Sequence, residues 1–427
     1  MIFNIIEFGA KISDLLQTNA IQSAIDKCFL SGGGEVVIPG GIWRTGCIRL
    51  RSNVTLHLLT GAILEGSDDP DDYTDYINDS IEPLDVYEQG ETSRSIYPFS
   101  RWNNGLIRAI NAENIAIIGE PYSYIDGVDC YDSQGEEKYR GPHCIKMHNC
   151  KNITLSGYTI RRSANWAHNI ISSENIKVEN ITVYGGHDGF DVFKCNNVKI
   201  SNSFFYTGDD CIAGFDNKDV TISGCVLNCA CNAIRFGGTN VLVDNCQFIS
   251  PGQFGHRWSL TPEEKARRKT ATESCNHNML AAFCYYCDKR TDVRNAPGNI
   301  VIRNCSIKNP GTLYTHDFGF YWTCNRELES IRFENCKVVG MTDSIMHYGD
   351  IKNKKMIMEF ENVTFEDTKC DTFIKAKNFD TILLNNVTLD DGVRRKIVTD
   401  GNGGKIAIRN SGEFEQLTDV LKSYGEE

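Results

Sequence analysis

Short runs of alternating apolar and polar residues recur along most of the chain, and each begins at an Asn or Asp. Examples are "NCKNITLSGYTI", "SSENIKVENITV", "CNNVKISNSFF", "NKDVTISGCVL" and "GTNVLVDNCQF". Their anchors, Asn152, Asn175, Asn197, Asp219 and Asn240, are 23, 22, 22 and 21 residues apart. A period near 22 fits a coil of about three short strands, each alternating between interior and solvent.

Stacked coils of this kind form a solenoid in which each repeat buries its apolar side against its neighbours. We therefore predict an all-β fold, a single-stranded right-handed parallel β-helix forming one domain over residues 1–427. A leucine-rich-type solenoid is the alternative, and the absence of its Leu and Asn spacing disfavours it. Asn at the recurrent turn predicts a left-handed backbone conformation. Equivalent positions should form ladders, and one buried ladder is expected from Cys225, Cys246, Cys305 and Cys336.

Two segments depart from the period. "TNAIQSAIDKCFLSGGG" predicts a capping helix over residues 18–31, with Thr18 or Asn19 as N-cap and Gly32 at its end. Its apolar face would consist of Ala20, Ile21, Ala24, Ile25 and Cys28.

The regular spacing also breaks between Asn240 and Asn299, a gap of 59 residues. We expect an insertion over residues 250–296 beside a cleft, and "TPEEKARRKTATES" inside it predicts an exposed helix. Residues 411–427 are expected to form a C-terminal tail.

Composition narrows the classes of partner. The hydrophobic fraction of 41% suffices for a large core, whereas the formal net charge of −12 argues against nucleic acid or an anionic membrane as partner. The 18 cysteines are spread through apolar runs, which favours buried reduced thiols. The N-terminus lacks a signal-peptide pattern, so we expect a cytoplasmic protein. "CYYC" at Cys284–Cys287 lacks a second ligand pair, and we expect no metal and no cofactor.

The strongest chemical signal is a group of carboxylates in phase with the repeat. Asp188 lies 13 residues after Asn175, Asp210 lies 13 after Asn197, and Asn232 lies 13 after Asp219. Since equivalent positions of successive coils stack about 5 Å apart, these residues should line one rim, with Asp209 beside them.

Three explanations are open for such a cluster. Asp is common in turns, so the residues could be structural. Clustered oxygens could bind a hard cation such as calcium. A protonated carboxyl group and an ionised one could also act as acid and base on a glycosidic bond.

The motifs "GGHDGFD", "TGDDCIA" and "CNAIRFGG" resemble the motif series of glycoside hydrolase family 28, the polygalacturonase-like enzymes. The similarity covers roughly residues 5 to 250 and includes "FGAKISDLLQTNAIQSAID" and "SANWAH". This resemblance implies that Asp209 is the general acid, that Asp188 and Asp210 hold and deprotonate the water, and that the anomeric centre is inverted. Inversion requires about 6.5 to 9.5 Å between the acid and base carboxyl groups.

The chain also departs from the family pattern. Gly186 and His187 stand where the family has Asn-Thr, and Asn232 stands at the histidine of Gly-His-Gly. The Arg-Ile-Lys motif, which grips the uronate carboxylate in the family, has no match. Candidates to replace its charge are Arg235, His256 and Arg257.

Aromatic and histidine residues near the rim are further candidates. Trp166 and His168 lie 20 to 22 residues before Asp188, one coil away, where a ring could stack on a sugar. Packing roles are equally open for both residues. For His316 and Asp317, several coils away, we favour packing.

The leading hypothesis is an inverting hydrolase that acts on pectin-type or related oligosaccharides, with exo attack on α-linked uronic acid or neutral sugar residues. The alternatives are a calcium-dependent polysaccharide lyase and a non-catalytic carbohydrate-binding β-helix. The expected partner is an oligosaccharide substrate, and the residues indicate no oligomeric state.

Overall fold

The computed structural model describes residues 1–75, 101–136, 139–256, 276–287, 293–318, 326–352, 356–390, 395–401 and 404–422. Two compact units make up the chain. The first comprises Met1–Asp209 with Phe254–Asn276, and the second comprises Asp210–Gln253 with His277–Glu427.

The first unit contains the helix α1 (Thr18–Leu30) and short 3-10 turns at Ile5–Phe8, Pro70–Asp72 and Arg101–Asn103. Its strands are β1 (Ile2–Asn4), β2 (Gly34–Ile38), β3 (Gly41–Thr45), β4 (Ile48–Arg49), β5 (Val54–Leu58), β6 (Ala62–Gly66), β7 (Gly105–Ile110), β8 (Glu113–Gly119), β9 (Tyr124–Asp126), β10 (Tyr131–Glu136), β11 (His143–His148), β12 (Lys151–Ser156), β13 (Thr159–Arg161), β14 (His168–Ile171), β15 (Glu174–Glu179), β16 (Thr182–Gly185), β17 (Phe190–Phe193), β18 (Asn196–Ser201) and β19 (Phe204–Thr207).

The second unit continues with strands only among its described residues. They are β20 (Ile212–Ser223), β21 (Val226–Cys229), β22 (Asn232–Asp244), β23 (Gln247–Ile249), β24 (Ala281–Tyr285), β25 (Gly298–Arg303), β26 (Ser306–Lys308), β27 (Thr312–Asp317), β28 (Ser330–Glu334), β29 (Lys337–Val339), β30 (Ile345–Tyr348), β31 (Ile357–Glu361), β32 (Thr364–Glu366), β33 (Ile374–Lys377), β34 (Thr381–Asn385), β35 (Thr388–Leu389), β36 (Lys396–Thr399), β37 (Lys405–Arg409) and β38 (Glu415–Thr418).

Strands of successive coils pair in parallel, which confirms the parallel β-helix; its handedness stays a prediction. In the first unit, β12 pairs with β8 and β15, β11 with β7 and β14, and β13 with β9 and β16. In the second, β25 pairs with β22 and β28, β27 with β24 and β30, and β26 with β23 and β29. Each coil therefore contributes one strand to each of three ladders.

Matching apolar positions stack to form the core, because a parallel register holds equivalent side chains one above another. One such stack in the first unit is Leu56, Ile117, Leu155, Val178 and Ile200, all buried. In the second unit the corresponding stack contains Val243, Ile302, Phe333, Phe360 and Leu384. Burial of this kind is the dominant favourable contribution to folding.

The predicted Asn turns are confirmed. Asn152, Asn175 and Asn197 have φ values of 54°, 57° and 53°, the left-handed region. Their side-chain amides form a continuous ladder: the Nδ2 of Asn197 donates to Oδ1 of Asn175 at 2.8 Å, and that of Asn175 to Asn152 at 3.0 Å. In the second unit Asn240 donates to Asp219 at 2.8 Å. The repeated turn residue thus satisfies its own polar group along the stack.

The cysteine ladder is also confirmed. Cys225, Cys246, Cys305 and Cys336 are buried, and the backbone N–H of Cys246 donates to Sγ of Cys305 at 3.4 Å. The cysteines of the described residues are reduced thiols, and all except Cys284 are buried. Here they behave as small apolar residues of the core.

The N-terminal helix confirms the predicted cap but not its N-cap residue. Ile21, Ala24, Ile25 and Cys28 are buried, whereas Ala20 is half-buried. Gln17 is the N-cap and makes no side-chain capping bond; Thr18 Oγ1 instead accepts a hydrogen bond from Gly46 N at 2.8 Å. The prediction that Thr18 or Asn19 caps the helix is therefore wrong.

The end of the helix follows the predicted glycine signal. Gly32 has a φ of +92°, and the N–H of Gly33 donates to the carbonyl of Cys28 at 3.0 Å. The left-handed residue and this bond satisfy carbonyls that the last helical turn leaves open.

Two of the predicted irregular segments contain ladder strands. Within residues 250–296, β24 pairs with β22 and β27; the predicted helix "TPEEKARRKTATES" lies outside the described residues. Within residues 411–427, β38 pairs with β36. The described part of the chain has no helix long and apolar enough to span a bilayer.

Candidate active site

The first unit brings Asp188 and Asp209 together. Asp188 follows β16 and Asp209 follows β19, and these strands pair with Gly185 opposite Thr207. The register therefore carries the two carboxylates to the same end of neighbouring coils. One oxygen of each lies within 4.8 Å of the other, and the residues are only 3% and 6% exposed. Like charges this close and this buried disfavour simultaneous ionisation.

The turn before Asp209 allows no side chain at Gly208. Gly208 N donates to the Gly185 carbonyl at 2.8 Å, and Thr207 Oγ1 donates to the Asp209 carbonyl at 2.9 Å. A Cβ at position 208 would lie 2.0 Å from Gly255 O and 2.5 Å from Gly186 O. Glycine is therefore required here because three backbone segments approach closely.

A histidine lies beside this carboxylate pair. His256 Nε2 lies 3.6 Å from Asp209 Oδ1, and the His256 side chain is 32% exposed. The backbone N–H of His256 donates to Asn276 O at 2.9 Å, which fixes the segment that carries it. Arg257, the next predicted residue, lies outside the described residues.

His187 precedes Asp188 in the sequence and is 2% exposed. Its ring stacks against Tyr139, with centroids 6.2 Å apart and an interplanar angle of 22°. The predicted substrate contact of His187 stays a prediction, and its buried ring also has a packing role.

The second unit assembles Asp210, Asn232 and Arg235. Asp210 is 1% exposed, and its Oδ1 accepts hydrogen bonds from Asn232 N at 3.1 Å and Nδ2 at 2.9 Å. The Nε of Arg235 donates to Oδ2 of Asp210, and the guanidinium lies 4.3 Å from the Tyr286 ring centroid. β20 and β22 pair with Ile212 opposite Ile234, which confirms the predicted one-coil relationship between Asp210 and Asn232.

This geometry corrects the role predicted for Arg235. The sequence offered Arg235 as a replacement charge for a uronate carboxylate. In the structure the guanidinium is engaged with the carboxylate of Asp210 and with an aromatic face. Its charge therefore compensates a buried acid of the protein itself.

His168 belongs to the interior of the first unit. It is fully buried, with Nε2 2.8 Å from Tyr158 OH and Nδ1 2.9 Å from Gly189 O. Burial lowers the pKa of His168 to about 4. Both ring nitrogens have protein partners, so the expectation of a sugar contact is corrected to a packing role.

Trp166 is 7% exposed and packs edge-on against Trp102, with centroids 4.8 Å apart, and against Phe193 at 5.7 Å. The neighbouring Ala167 N donates to Asp188 O at 2.9 Å, so the expected one-coil offset from Asp188 is correct. Trp166 thus supports the coil that carries Asp188, and its aromatic face is largely covered by protein.

A second polar cluster in the second unit was not predicted. His316, Glu327 and His347 are buried, and one ligand atom from each lies within 4.8 Å of the others. Burial lowers the pKa of His316, lowers that of His347 to about 3, and raises that of Glu327 to about 8. The only sequence signal was the 31-residue separation of the histidines, which pair in register on β27 and β30.

Comparison with known proteins places the first cluster in a family context. Residues 90–237 match glycosyl hydrolases family 28. The resemblance of the motifs to glycosyl hydrolases family 28 is thereby confirmed. The matched region contains Asp188, Asp209, Asp210, Asn232 and Arg235, but not His256.

Two curated relatives in the polygalacturonase group match parts of the chain. An exo-poly-alpha-D-galacturonosidase of Dickeya chrysanthemi is 45% identical over 75 residues, which are 17% of this chain and 12% of the relative. A probable polygalacturonase of Vitis vinifera is 29% identical over 189 residues, 42% of this chain and 36% of the relative. The chain thus covers only minor parts of both relatives.

Solved structures confirm the fold. A hyperthermoactive exopolygalacturonase from Thermotoga maritima aligns with a TM-score of 0.50 and 15% identity, covering 96% of this chain and 88% of that one. PfbA, a surface adhesin of Streptococcus pneumoniae, aligns with a TM-score of 0.56 and 14% identity, covering 97% and 90%. Because a hydrolase and an adhesin both align, the backbone alone does not select a function.

Proposed function

We propose that the protein is a glycosyl hydrolase that removes α-linked uronic acid or related sugar residues from the ends of pectin-type oligosaccharides. The carrying observation is the buried pair Asp188 and Asp209, whose oxygens lie within 4.8 Å of each other. Two carboxyl groups at one site can supply the acid and the base that glycosidic hydrolysis requires.

In this proposal Asp209 protonates the glycosidic oxygen, and Asp188 accepts a proton from the attacking water. The burial of both groups excludes bulk water and strengthens their electrostatic effect on the developing charge. The roles of Asp209, Asp188 and Asp210 follow the family resemblance. Asp210 is held in one orientation by Asn232 and Arg235.

His256 takes over the histidine function for which the chain has Asn232 at the family position. Its Nε2 is 3.6 Å from the proposed acid, and its exposed fraction leaves it accessible to a sugar. When protonated, His256 would also attract a uronate carboxylate, since opposite charges favour binding in a partly buried site. This supports a uronic acid over a neutral sugar.

Exo action is proposed from the matched relative that is named an exo-poly-alpha-D-galacturonosidase. Inversion also belongs to the proposal. The separation of the nearest Asp188 and Asp209 oxygens is a lower bound on the carboxyl separation by which inverting and retaining sites differ. NMR of the first product anomer would determine the stereochemistry. A cytoplasmic location stays a prediction.

The decisive experiment compares the wild type with Asp209→Asn on p-nitrophenyl α-glycosides and pectic oligosaccharides. We expect monosaccharide release by the wild type and a loss of about 100-fold or more in kcat for the variant. Asp26→Asn, a surface carboxylate paired with Arg51, is the control and should keep full activity. Near-wild-type turnover by Asp209→Asn would refute the assignment.

Two further outcomes discriminate the alternatives. A chelator-sensitive reaction whose product absorbs in the ultraviolet would indicate a polysaccharide lyase. Oligosaccharide binding by the wild type without any product would indicate a carbohydrate-binding protein. Either result would overturn the hydrolase proposal.

A further inference from the structure

Two histidines and one glutamate meet inside the second unit, outside the family match. His316 lies on β27 and His347 on β30, and the two residues are opposite each other in the parallel register. Glu327 Oε1 lies 3.7 Å from His316 Nε2 and 3.5 Å from His347 Nε2. The three residues are 2%, 0% and 8% exposed, for His316, His347 and Glu327 respectively.

The atoms that face one another have no hydrogen-bond partner within the described part of the chain. These are Nε2 of His316, Nε2 of His347 and Oε1 of Glu327. Both distances to the carboxylate exceed those of an O–H or N–H hydrogen bond. Because an unsatisfied buried polar atom is costly, three of them around one point require an explanation.

Neighbouring groups fix these side chains by their other atoms. Tyr314 OH lies 3.2 Å from Nδ1 of His347, and Asp350 N donates to Oε2 of Glu327 at 2.5 Å. With Nδ1 of His347 engaged, its Nε2 can carry the lone pair that a metal requires. Orientation through the distal nitrogen is the usual support of a histidine ligand.

The backbone also leaves room beside the cluster. A Cβ at Gly349 would lie 2.8 Å from His347 Nε2 and 3.2 Å from Glu327 Oε2. The glycine therefore keeps a side chain away from the atoms that converge.

We propose that His316, His347 and Glu327 bind a divalent transition-metal ion of the zinc type. Bonds of about 2.0 to 2.2 Å in a tetrahedron separate neighbouring ligand atoms by roughly 3.3 to 3.5 Å, close to the separations observed here. Two neutral imidazoles and one carboxylate form a donor set typical of zinc, with a fourth position left for water or another donor. The site is separate from the proposed hydrolase residues and does not depend on them.

The ion would connect two coils and the segment that carries Glu327. Since a ligand that binds only the folded state stabilises that state, zinc should raise the thermal stability of the protein. A hard cation such as calcium prefers six to eight oxygen ligands, so calcium should have no comparable effect.

The test uses the full chain, stripped with a chelator and then dialysed against Zn²⁺ or Ca²⁺. We expect about one bound zinc per chain by mass spectrometry of the metal, a higher unfolding temperature with zinc, and no change with calcium. His316→Gln, His347→Gln and Glu327→Gln should each lose the bound zinc. His57→Gln is the matched control, because His57 is also held by carboxylates but lies at the surface.

Cobalt substitution distinguishes this site from the many cysteines and needs no variant. The Co²⁺ protein should have visible absorption of a tetrahedral site with nitrogen and oxygen ligands, without thiolate charge-transfer bands. Strong thiolate bands, zinc retention by the His347→Gln protein, or no stoichiometric zinc in the wild type would each overturn the proposal. Asp209→Asn should bind zinc like the wild type, which separates this result from the test of the hydrolase.

Discussion

His256 Nε2 lies 3.6 Å from Asp209 Oδ1, although the two residues are 47 positions apart in the sequence. The chain has Asn232 where the family has a histidine, so a different segment supplies an imidazole to the proposed acid. We predict that His256→Gln lowers kcat at least about tenfold, because a positioned group contributes to catalysis through its geometry. Steady-state kinetics on the best substrate would measure the effect.

The His57→Gln variant is the control for this change, since His57 pairs with Glu35 on the surface. Its kcat should equal that of the wild type. A His256→Gln enzyme with unchanged kcat and an unchanged pH–rate profile would exclude a catalytic or positioning role for His256.

Gly208→Ala should damage the site by moving Asp209. The added Cβ would lie 2.0 Å from Gly255 O, so the turn must shift. A displacement near 1 Å costs on the order of 100-fold in rate, and we expect a kcat loss of that size. Gly185→Ala is the matched control because its Cβ would have only Ser163 N nearby, at 3.9 Å. Equal activity of the two variants would contradict this account of Gly208.

Arg235→Met should destabilise the protein strongly. It leaves Asp210, which is 1% exposed, without its cation, and an uncompensated buried charge costs about 3 to 5 kcal/mol. Arg303→Met is the control: the Arg303 side chain is 42% exposed and pairs with Asp244, a surface pair worth less than about 1 kcal/mol. Urea unfolding would measure both. Similar losses for the two variants would contradict a buried structural role for the Arg235 pair.

The periodic features of this protein could be predicted from the sequence. The left-handed turns at Asn152 and Asn175 and the cysteine ladder depend on a local rule that repeats with the coil. Since each coil repeats the register of the one before, spacing alone identifies the neighbours of Asp210 and Asn232.

Features that depend on side-chain direction or on irregular segments could not be predicted in the same way. The sequence interpreted Arg235 and His168 as substrate contacts, yet one pairs with Asp210 and the other is enclosed by Tyr158 and Gly189. His316 and His347 are 31 residues apart, outside the period near 22, so their register was hidden by the longer coil.

The buried His168 predicts how stability depends on pH. Burial lowers its pKa from 6.5 to about 4, so the unfolded state binds the proton more readily than the folded state. The stabilising contribution is therefore present above pH 6.5 and is lost as the pH falls through about 4. The lowered pKa corresponds to about 3 kcal/mol lost over this range. His168→Gln should be less stable than the wild type at pH 7 but lose less stability on acidification.

Tyr158→Phe is the control for this prediction. It removes the hydroxyl partner of His168 Nε2 but keeps the titrating imidazole in the core. It should therefore be destabilised at pH 7 by about 1 to 3 kcal/mol, the cost of an unsatisfied buried group, and retain the acid dependence. Denaturant unfolding between pH 7 and 4 would measure the three slopes. If His168→Gln kept the wild-type slope, other groups would account for the acid sensitivity, and neutral His168 would not be a determinant of stability.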